Sequence, residues 1–419
     1  MKCLLAVLGT HGDVLPFIAL GSALAGRGHE VLLTAPAPFE GAARRAGLTF
    51  HPLGDRADFN RLVCEPDLWH PRKGARTAFR HALRFTPDVY RWIEAHRSED
   101  CVAVASSSMF GARTAQDRLG VPLVTLHVLP MLIESRSAPP RLPGLPLPEF
   151  LPARFRHWMG RGAFEVAVDP FILPGLNAFR SGLGLPPVRR LIHWWNSPDA
   201  MLLMFPGWYA PPQPDWPPQA VQLDFPIADA FGDAPELDPA LASFLDAGPP
   251  PLAFTYGSGM RQGRRFFETA VAVCGRLGRR GVLLAPQDGQ VSGPLPEGIL
   301  HVPYAPFGKL LPRCAALIHH GGIGTVAQAM AAGIPQFVVP VAFDHFDEAR
   351  RLRHLNLGLS LSRRRFSPGP AARRIRRLLT DPRVRAACDE ARDRLRTNGS
   401  LQAACDVIER AATARRTDG

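Results

Sequence analysis

Residues 315–332 read AALIHHGGIGTVAQAMAA, the segment of the chain with the clearest structural pattern. The four apolar residues at 315–318 are typical of a buried strand. The glycine-rich turn HGGIGT follows at 320–325, and the small residues of 326–332 are typical of a helix. The pattern therefore predicts a strand, a glycine turn and a helix in succession, as in a parallel α/β sheet.

A turn of this kind is suited to an anion. Free backbone N–H groups and the positive end of the helix dipole point to one spot, and the glycines leave room there for a phosphate. His320 stands where it could donate a further hydrogen bond to a diphosphate. The pattern indicates a nucleotide site, although the same unit also occurs as a plain strand-to-helix connection without a ligand.

The composition indicates a folded protein of two domains, because the chain has 419 residues, of which 46% are hydrophobic and 21% charged. Its 7 cysteines show no CxxC spacing, which argues against a disulfide framework or a zinc site and favours a reducing compartment. The first apolar run is too short for a signal-peptide core, and no segment has the length of a membrane span. We therefore expect a cytoplasmic protein.

The formal net charge is +12, and nearly all of the basic residues are arginines. This balance favours anionic ligands, which include nucleotide sugars, fatty-acid carboxylates and the acidic face of a membrane. We expect no nucleic-acid partner, because no aromatic-studded strand accompanies the arginines. A transient contact with the inner-membrane surface stays open as a peripheral localisation.

Strands alternate with helices in both halves of the chain, which predicts two facing Rossmann-like domains with parallel sheets and a ligand at the carboxyl ends of the strands. The proline-rich segment 206–218 is the clearest break in composition and is interpreted as a stiff connector. The predicted domains are residues 1–218 and 219–395. A C-terminal helix at 396–419, part of a helical stretch that begins at 389, is expected to pack back on the first domain.

Three motifs resemble, in order and separation, the inverting glycosyltransferases of family 1, which have the GT-B fold: GTHGDVLP at 9–16, HHGGIGT at 319–325 and PVAFDHFD at 340–347. Further segments are similar to the rhamnosyltransferases of rhamnolipid biosynthesis: DLW at 67–69, FPGWYAPPQ at 205–213 and DWP at 215–217. The resemblance implies transfer of L-rhamnose from dTDP-L-rhamnose to a 3-(3-hydroxyalkanoyloxy)alkanoate lipid, which gives a mono-rhamnolipid. It also implies that the acceptor binds the first domain and the nucleotide sugar the second.

The resemblance places the catalytic base at Asp13, with His11 assisting it or helping to hold the acceptor. A carboxylate can take the proton of an acceptor hydroxyl while the new C1–O bond forms. From the residues alone Asp13 has a second interpretation, because it stands before a predicted helix and aspartate is a preferred N-cap.

The resemblance also implies the residues that bind the donor. His320 and the amides near the start of the helix would take the charge of the leaving diphosphate, and Ser258 is either a second phosphate contact or a plain turn serine. Tyr304 would stack on the nucleotide base, or is simply buried. Gln328 stands where UDP-using members carry a glutamate that binds the ribose hydroxyls. The absence of this glutamate is compatible with a dTDP donor, whose deoxyribose lacks one of these hydroxyls. The backbone amides that would bind the diphosphate are those of Gly322, Gly324 and Thr325.

Asp344 and His345 occupy the positions at which the family carries Asp-Gln, both of which contact sugar hydroxyls. The histidine is a departure, since an imidazole offers one donor and one acceptor and has a shorter reach than glutamine. A hexose other than rhamnose, delivered from UDP- or dTDP-glucose, therefore stays open.

No Asp-x-Asp motif occurs in the chain, so we expect a metal-independent reaction with no metal ligands and no cofactor besides the nucleotide sugar. The lipid-like acceptor needs apolar surface in the first domain. The candidates for that surface are Trp69, Phe79, Phe110 and Met131.

Other functions remain open at this level. Within the same class, the acceptor could be a polyketide or a sterol. In another class, GT-B folds include sugar-nucleotide epimerases, and a protein could also hold a nucleotide sugar without catalysis. An NAD-dependent enzyme is disfavoured, because the turn after the first strand lacks GxGxxG.

Overall fold

The computed structural model describes residues 1–417 except 146, 228–231, 233–235, 261 and 397–398, and only the backbone of 415–417. The chain divides into two compact units. The first comprises Met1–Ala228 together with Gly399–Gly419, and the second comprises Asp229–Asn398.

The first unit contains a seven-stranded sheet in which every pairing is parallel, with the strand order β3-β2-β1-β4-β5-β6-β7. Its strands are β1 (Lys2–Ala6), β2 (Glu30–Ala35), β3 (Thr49–Pro52), β4 (Cys101–Ser106), β5 (Leu123–His127), β6 (Ala200–Met204) and β7 (Ala220–Leu223). The helices between them are α1 (His11–Gly26), α2 (Glu40–Arg45), α3 (Arg56–Cys64), α4 (Gly74–Arg84), α5 (Thr86–His96), α6 (Phe110–Leu119), α7 (Ala153–Ala167), α8 (Asp169–Gly182) and α9 (Leu191–Trp194).

The second unit contains a six-stranded parallel sheet with the order β10-β9-β8-β11-β12-β13. Its strands are β8 (Leu252–Thr255), β9 (Gly281–Leu284), β10 (Ile299–Val302), β11 (Ala316–His319), β12 (Gln336–Val338) and β13 (Gly358–Ser360). Its helices are α10 (Pro239–Asp246), α11 (Arg264–Leu277), α12 (Phe307–Leu310), α13 (Ile323–Ala331), α14 (His345–His354), α15 (Pro368–Thr380) and α16 (Pro382–Arg396). The last helix, α17 (Ser400–Thr417), belongs to the first unit.

Helices cover both faces of the first sheet. On one face Leu4 packs with Val89 and Ile93 of α5 in a hydrophobic core cluster. Leu5 points to the other face, because successive side chains of a strand alternate, and it lies against Gly21 of α1. This alternation explains why the central strands read as continuous apolar runs.

α17 packs against α1 and against the strands β4 to β7 of the first sheet. Arg27, which follows α1, places Nη1 2.6 Å from Oδ1 of Asp406 and 3.0 Å from Oε2 of Glu409. His29 Nε2 lies 2.8 Å from the other oxygen of Glu409. The two ends of the chain are therefore joined in one unit.

The second sheet is also covered on both faces. Val282 and Leu317 pack with Leu241 of α10 on one face. On the other face Phe254 lies 6.4 Å, between ring centroids, from Phe266 of α11. This arrangement leaves only the ends of the strands for a ligand.

The structure corrects two of the predicted boundaries. The break at 218 falls inside the first unit, because β7 pairs in parallel with β6 and the proline-rich segment 206–218 lies between these two strands. The single helical stretch from 389 is two helices, α16 and α17, and residues 397–398 of that stretch lie outside the described residues. Within the described part of the chain, no helix has both the length and the apolarity needed to cross a bilayer.

Candidate functional site

A doubly wound sheet has a crevice at the point where its strand order reverses. In the second sheet this point lies between β8 and β11, which are neighbours although two strands separate them in sequence. Gly257 follows β8 and His320 follows β11. A Cβ on Gly257 would lie 3.0 Å from Nε2 of His320, so the two loops are packed together. The loops that carry Ser258 and His320 are therefore side by side, and Ser258 is exposed.

The start of α13 leaves backbone donors available. Gly322 is its N-cap and supplies no side-chain acceptor for the first turn, so the amides of Gly324 and Thr325 have no capping side chain. A Cβ on Gly322 would lie 2.7 Å from Nε2 of His320. Glycine is thus required here for the imidazole to lie directly beside the helix start. This geometry is what an anion site needs.

The imidazole of His320 is neutral in the free protein. Burial lowers the pKa of His320 to about 4 and that of His319 to about 3. Nδ1 of His320 is buried and has no hydrogen-bond partner within the described parts of the chain. Since its Nε2 faces the two glycine turns, the ring can donate one hydrogen bond to a ligand at the start of α13. An arriving anion would also favour its protonation.

His345 is fixed by its own loop and by His320. Its Nδ1 accepts hydrogen bonds from the N–H groups of Val341, at 3.3 Å, and Ala342, at 3.2 Å. Its ring stands at 86° to the ring of His320, with the centroids 4.8 Å apart. Burial lowers the pKa of His345 well below its usual value, so Nε2 carries the single proton. The visible contacts of His345 support the loop and the His320 ring, and a sugar-hydroxyl contact stays a prediction.

The loop before α14 contains an unusual backbone conformation. Phe343 has φ 49°, a value that costs a bulky residue conformational energy. It directly precedes Asp344, which is buried and is the N-cap of α14. The loop therefore holds Asp344 and His345 in a fixed position behind the start of α13.

The other residues predicted to bind the donor lie at the same edge of the second sheet. Tyr304 follows β10 and is half-buried, while Thr325 and Gln328 are half-buried on α13. Three strand spacings separate β10 from β11 in this sheet, so the two strand ends are about 14 Å apart. That span suits a base at Tyr304 and phosphates at His320.

Two further buried residues lie near this edge, of which the sequence analysis did not identify Gln290. Gln290 is 1% exposed, and its Nε2 donates to the carbonyl of Met260 at 2.7 Å, which ties the loop after β9 to the loop after β8. Glu348 is fully buried on α14, one turn after His345, and burial raises its pKa to about 7. Gln290 has no sequence signal for this contact, because Met260 is 30 residues away in the chain.

In the first unit, Asp13 lies in the first turn of α1, which follows β1 at the reversal of strand order between β1 and β4. Its Oδ2 accepts a hydrogen bond from the N–H of Thr10 at 2.9 Å, and Thr10 is the N-cap of α1. The N-cap is therefore Thr10, and Asp13 stabilises the start of α1 from the third helical position. No hydrogen bond from the described residues reaches Oδ1. Burial raises the pKa of Asp13 to about 6.

The absence of a side chain at Gly9 leaves the space that the Asp13 carboxylate occupies. Its φ is 148°, and a Cβ there would lie 2.2 Å from Oδ2 of Asp13. The side chain of Asp13 therefore folds directly over the glycine backbone. His11 is half-buried beside it and packs edge-on against Phe39, with the ring centroids 5.0 Å apart.

The apolar residues predicted for the acceptor are only partly brought together. Phe79 lies 6.3 Å from Phe110 and 5.6 Å from Trp195 between ring centroids, in one cluster. Leu8 packs against this cluster, so it reaches the end of β1 just before Gly9. Phe110 is 1% exposed and belongs to the core, which leaves its ring no surface for an acceptor.

The other two acceptor candidates lie outside this cluster. Trp69 is half-buried in the short 3-10 turn Pro66–Trp69, and its Nε1 donates to the carbonyl of Val63 at 3.2 Å. Met131 is half-buried in the turn Pro130–Leu132 after β5. Their binding of an acceptor stays a prediction.

Comparison with known proteins identifies the family. Residues 3–135 match the model of the glycosyltransferase family 28 N-terminal domain, and residues 280–406 match that of the erythromycin biosynthesis protein CIII-like C-terminal domain. The O-mycaminosyltylonolide 6-deoxyallosyltransferase of Streptomyces fradiae is 32% identical, over 100% of this chain and 99% of that protein. This chain is a GT-B family 1 glycosyltransferase of the EryCIII-like type.

Solved structures confirm the fold predicted for this glycosyltransferase. The glycotransferase of kitacinnamycin superposes with a TM-score of 0.75 at 20% identity, over 98% of this chain and 99% of that chain. The spinosyn rhamnosyltransferase SpnG, solved in complex with thymidine diphosphate, gives a TM-score of 0.67 at 21% identity, over 100% of both chains. At these identities the likeness establishes the GT-B architecture of two parallel-sheet Rossmann-like domains.

Among the described residues of the glycosyltransferase, no group of three or more histidine, cysteine, aspartate or glutamate side chains is arranged to hold a metal ion.

Proposed function

We propose that this glycosyltransferase moves L-rhamnose, with inversion, from dTDP-L-rhamnose to the hydroxyl of a 3-(3-hydroxyalkanoyloxy)alkanoate lipid. The observation that carries the proposal is Asp13, whose carboxylate is held through Oδ2 only and whose pKa burial raises to about 6. Such a carboxylate is ionised at pH 7 and remains basic enough to accept a proton in a transition state.

In the proposed step the acceptor oxygen forms a bond to C1 of the sugar while the bond from C1 to the diphosphate oxygen breaks. The hydroxyl proton passes to Oδ1 of Asp13, which later releases it to water. The departing diphosphate takes the bonding electron pair, and its charge is stabilised by the first amides of α13 and by Nε2 of His320. The products are the glycoside, thymidine diphosphate and one proton.

Two observations support a thymidine-linked 6-deoxyhexose as the donor. The relative at 32% identity is a 6-deoxyallosyltransferase, and SpnG, which shares the architecture, was solved with thymidine diphosphate. Gln328 is compatible with this donor, because an amide in place of a carboxylate does not require a ribose 2′-hydroxyl. We propose no cofactor besides this nucleotide sugar.

The lipid acceptor is supported by the motifs shared with rhamnolipid synthesis and by the half-buried Phe79 and Phe164, whose cluster reaches the end of β1 through Leu8. A second candidate is a macrolide-type polyketide acceptor. It is favoured by the same relative, whose name gives O-mycaminosyltylonolide as the molecule that it glycosylates.

The proposal is tested with purified protein, a panel of donors and a panel of acceptors. The donors are dTDP-L-rhamnose, dTDP-glucose and UDP-glucose, and the acceptors are a hydroxyalkanoyl dimer, a macrolide aglycone and a sterol, with products identified by mass. We expect a rhamnosylated hydroxyalkanoyl dimer. Turnover of the donor without any acceptor would instead indicate an epimerase, and binding without turnover would indicate a nucleotide-sugar-binding protein. A changed sugar preference in His345→Gln would assign hydroxyl contacts to His345.

We expect the transfer to need no divalent metal, because the helix start and His320 supply the positive potential for the diphosphate. Dialysis against a strong chelator should therefore leave the initial rate within about twofold of the untreated enzyme. A loss of activity that magnesium restores would contradict this prediction.

A further inference from the structure

Helix α7 of the first unit is unusual because none of its 15 residues is buried. Phe150, three residues before the helix, is 86% exposed. Helices of globular proteins normally bury an apolar stripe against the rest of the fold, so the apolar residues of this helix need an explanation.

One face of α7 attaches it to the unit. His157 Nε2 lies 2.7 Å from Oε1 of Glu134. Two turns further, Phe164 packs edge-on against Trp195, with the ring centroids 5.8 Å apart. Positions 157, 160 and 164 share one side of a helix, and Gly160 on that side lies against Leu142.

The opposite face of α7 carries large apolar side chains into solvent. Phe155 is 44%, Trp158 65% and Val166 74% exposed. Their spacing of three and eight residues places them in one stripe along the helix, and the rings of Phe155 and Trp158 are 6.0 Å apart. Single exposed apolar residues are common on proteins, but a row of exposed apolar side chains that includes two neighbouring aromatic rings marks an interaction surface.

Basic residues border this stripe. Arg154 and Arg161 are exposed on the same side of the helix, and the only acidic residue of α7 is Glu165, which lies 3.0 Å from Arg161 and is also paired with Arg190. The whole chain has a net charge of +12. The stripe therefore combines aromatic side chains with a positive potential.

From these observations we propose that the outer face of α7, together with Phe150, binds the surface of an anionic lipid bilayer. Tryptophan and phenylalanine insert at the boundary between headgroups and acyl chains, while arginines reach the phosphates with their charged ends. Anionic lipids add an electrostatic attraction for each basic residue near the surface. A second copy of the chain is a poorer occupant, because a twofold contact through this face would bring its arginines against one another.

The test is a flotation assay of the full chain with vesicles, in the absence of nucleotide sugar and acceptor. Vesicles of phosphatidylcholine with about one third phosphatidylglycerol are compared with vesicles of phosphatidylcholine alone. We expect binding to the anionic vesicles that weakens as salt is raised. The variant Phe155→Ser/Trp158→Ser should lose roughly tenfold or more of this binding, while Ile227→Ser, which changes another exposed apolar residue of the same unit, should retain it.

Thermal unfolding of each variant shows whether the fold is intact, and transfer to a water-soluble acceptor is measured separately. Loss of vesicle binding with unchanged transfer supports the proposal, whatever the natural acceptor is. Equal vesicle binding by the double variant and the wild type would overturn it. So would a wild-type dimer that ignores vesicles and that the double variant converts to a monomer.

Discussion

Replacing Asp13 by asparagine is expected to lower the turnover number by about a hundred- to ten-thousand-fold, while the dissociation constant for thymidine diphosphate stays near that of the wild type. The amide cannot accept the acceptor proton, but its oxygen can still take the hydrogen bond from the N–H of Thr10 that holds the start of α1. Steady-state kinetics and calorimetric titration with thymidine diphosphate measure the two quantities separately. A turnover number within a factor of a few of the wild type would exclude Asp13 as the base.

The reaction rate of the wild type should also depend on pH through the protonation of Asp13. Because burial raises the pKa of Asp13 to about 6, the basic form is lost as the pH falls through 6, and at pH 5 only about one tenth of the molecules retain it. The rate should therefore rise with pH through 6 and level off above it. In the asparagine variant the residual rate should lack this step.

Asp13→Asn should not weaken the fold. A carboxyl group with a raised pKa in the folded state opposes folding when it is ionised, and this penalty is present above pH 6 and disappears below the unfolded-state value near 4. The variant should therefore unfold at an equal or higher temperature than the wild type at pH 7, with the difference vanishing toward pH 4. Lower stability at pH 7 would show that the kinetic loss is a folding defect.

Gly9→Ala provides an independent test of the same carboxylate. The added Cβ would lie 2.2 Å from Oδ2 of Asp13 at a φ of 148°, so the side chain of Asp13 must move. We expect a loss of turnover that approaches that of Asp13→Asn. The matched control is Gly26→Ala at the end of α1, where a Cβ meets nothing within 4 Å.

Local sequence patterns were sufficient for the parts of the fold that depend on neighbouring residues. The stretch 315–332 predicted a strand, a turn and a helix, and the structure has β11 ending at His319 and α13 beginning at Ile323. The helix starts three residues earlier than predicted, because Gly322 acts as its N-cap. Apolar runs and glycines carry this information by themselves.

Features that depend on distant partners could not be predicted. The four residues of β7 are half-buried and become a strand only through their pairing with β6. Phe110 was predicted to line the acceptor site, but its neighbours Phe79 and Trp194 come from elsewhere in the chain and complete its burial. The orientation of His345 likewise depends on His320, which is 25 residues away in the sequence.

Replacing His320 by alanine is expected to weaken the binding of thymidine diphosphate roughly tenfold to a hundredfold, the usual effect of removing a hydrogen bond to a charged group. The imidazole lies beside the uncapped start of α13, and its Nδ1 lacks a partner within the described residues. Thymidine without phosphates serves as the control ligand, because its affinity should be unchanged if His320 acts on the diphosphate. An equal loss for both ligands would mean that the substitution disrupts the loop as a whole.

The same variant separates a charge effect from a packing effect. His320 is neutral in the free protein, since burial lowers its pKa to about 4, and the negative charge of a bound diphosphate must raise that pKa. Binding therefore takes up a proton, and the affinity of the wild type should increase as the pH falls from 7 toward 5. The diphosphate also takes up a proton of its own near pH 6, but that contribution is common to both proteins, so the difference between wild type and His320→Ala isolates the imidazole. If the affinities of the wild type and of His320→Ala change by the same factor between pH 7 and 5, His320 stays neutral in the complex. The start of α13 alone must then stabilise the charge of the leaving group.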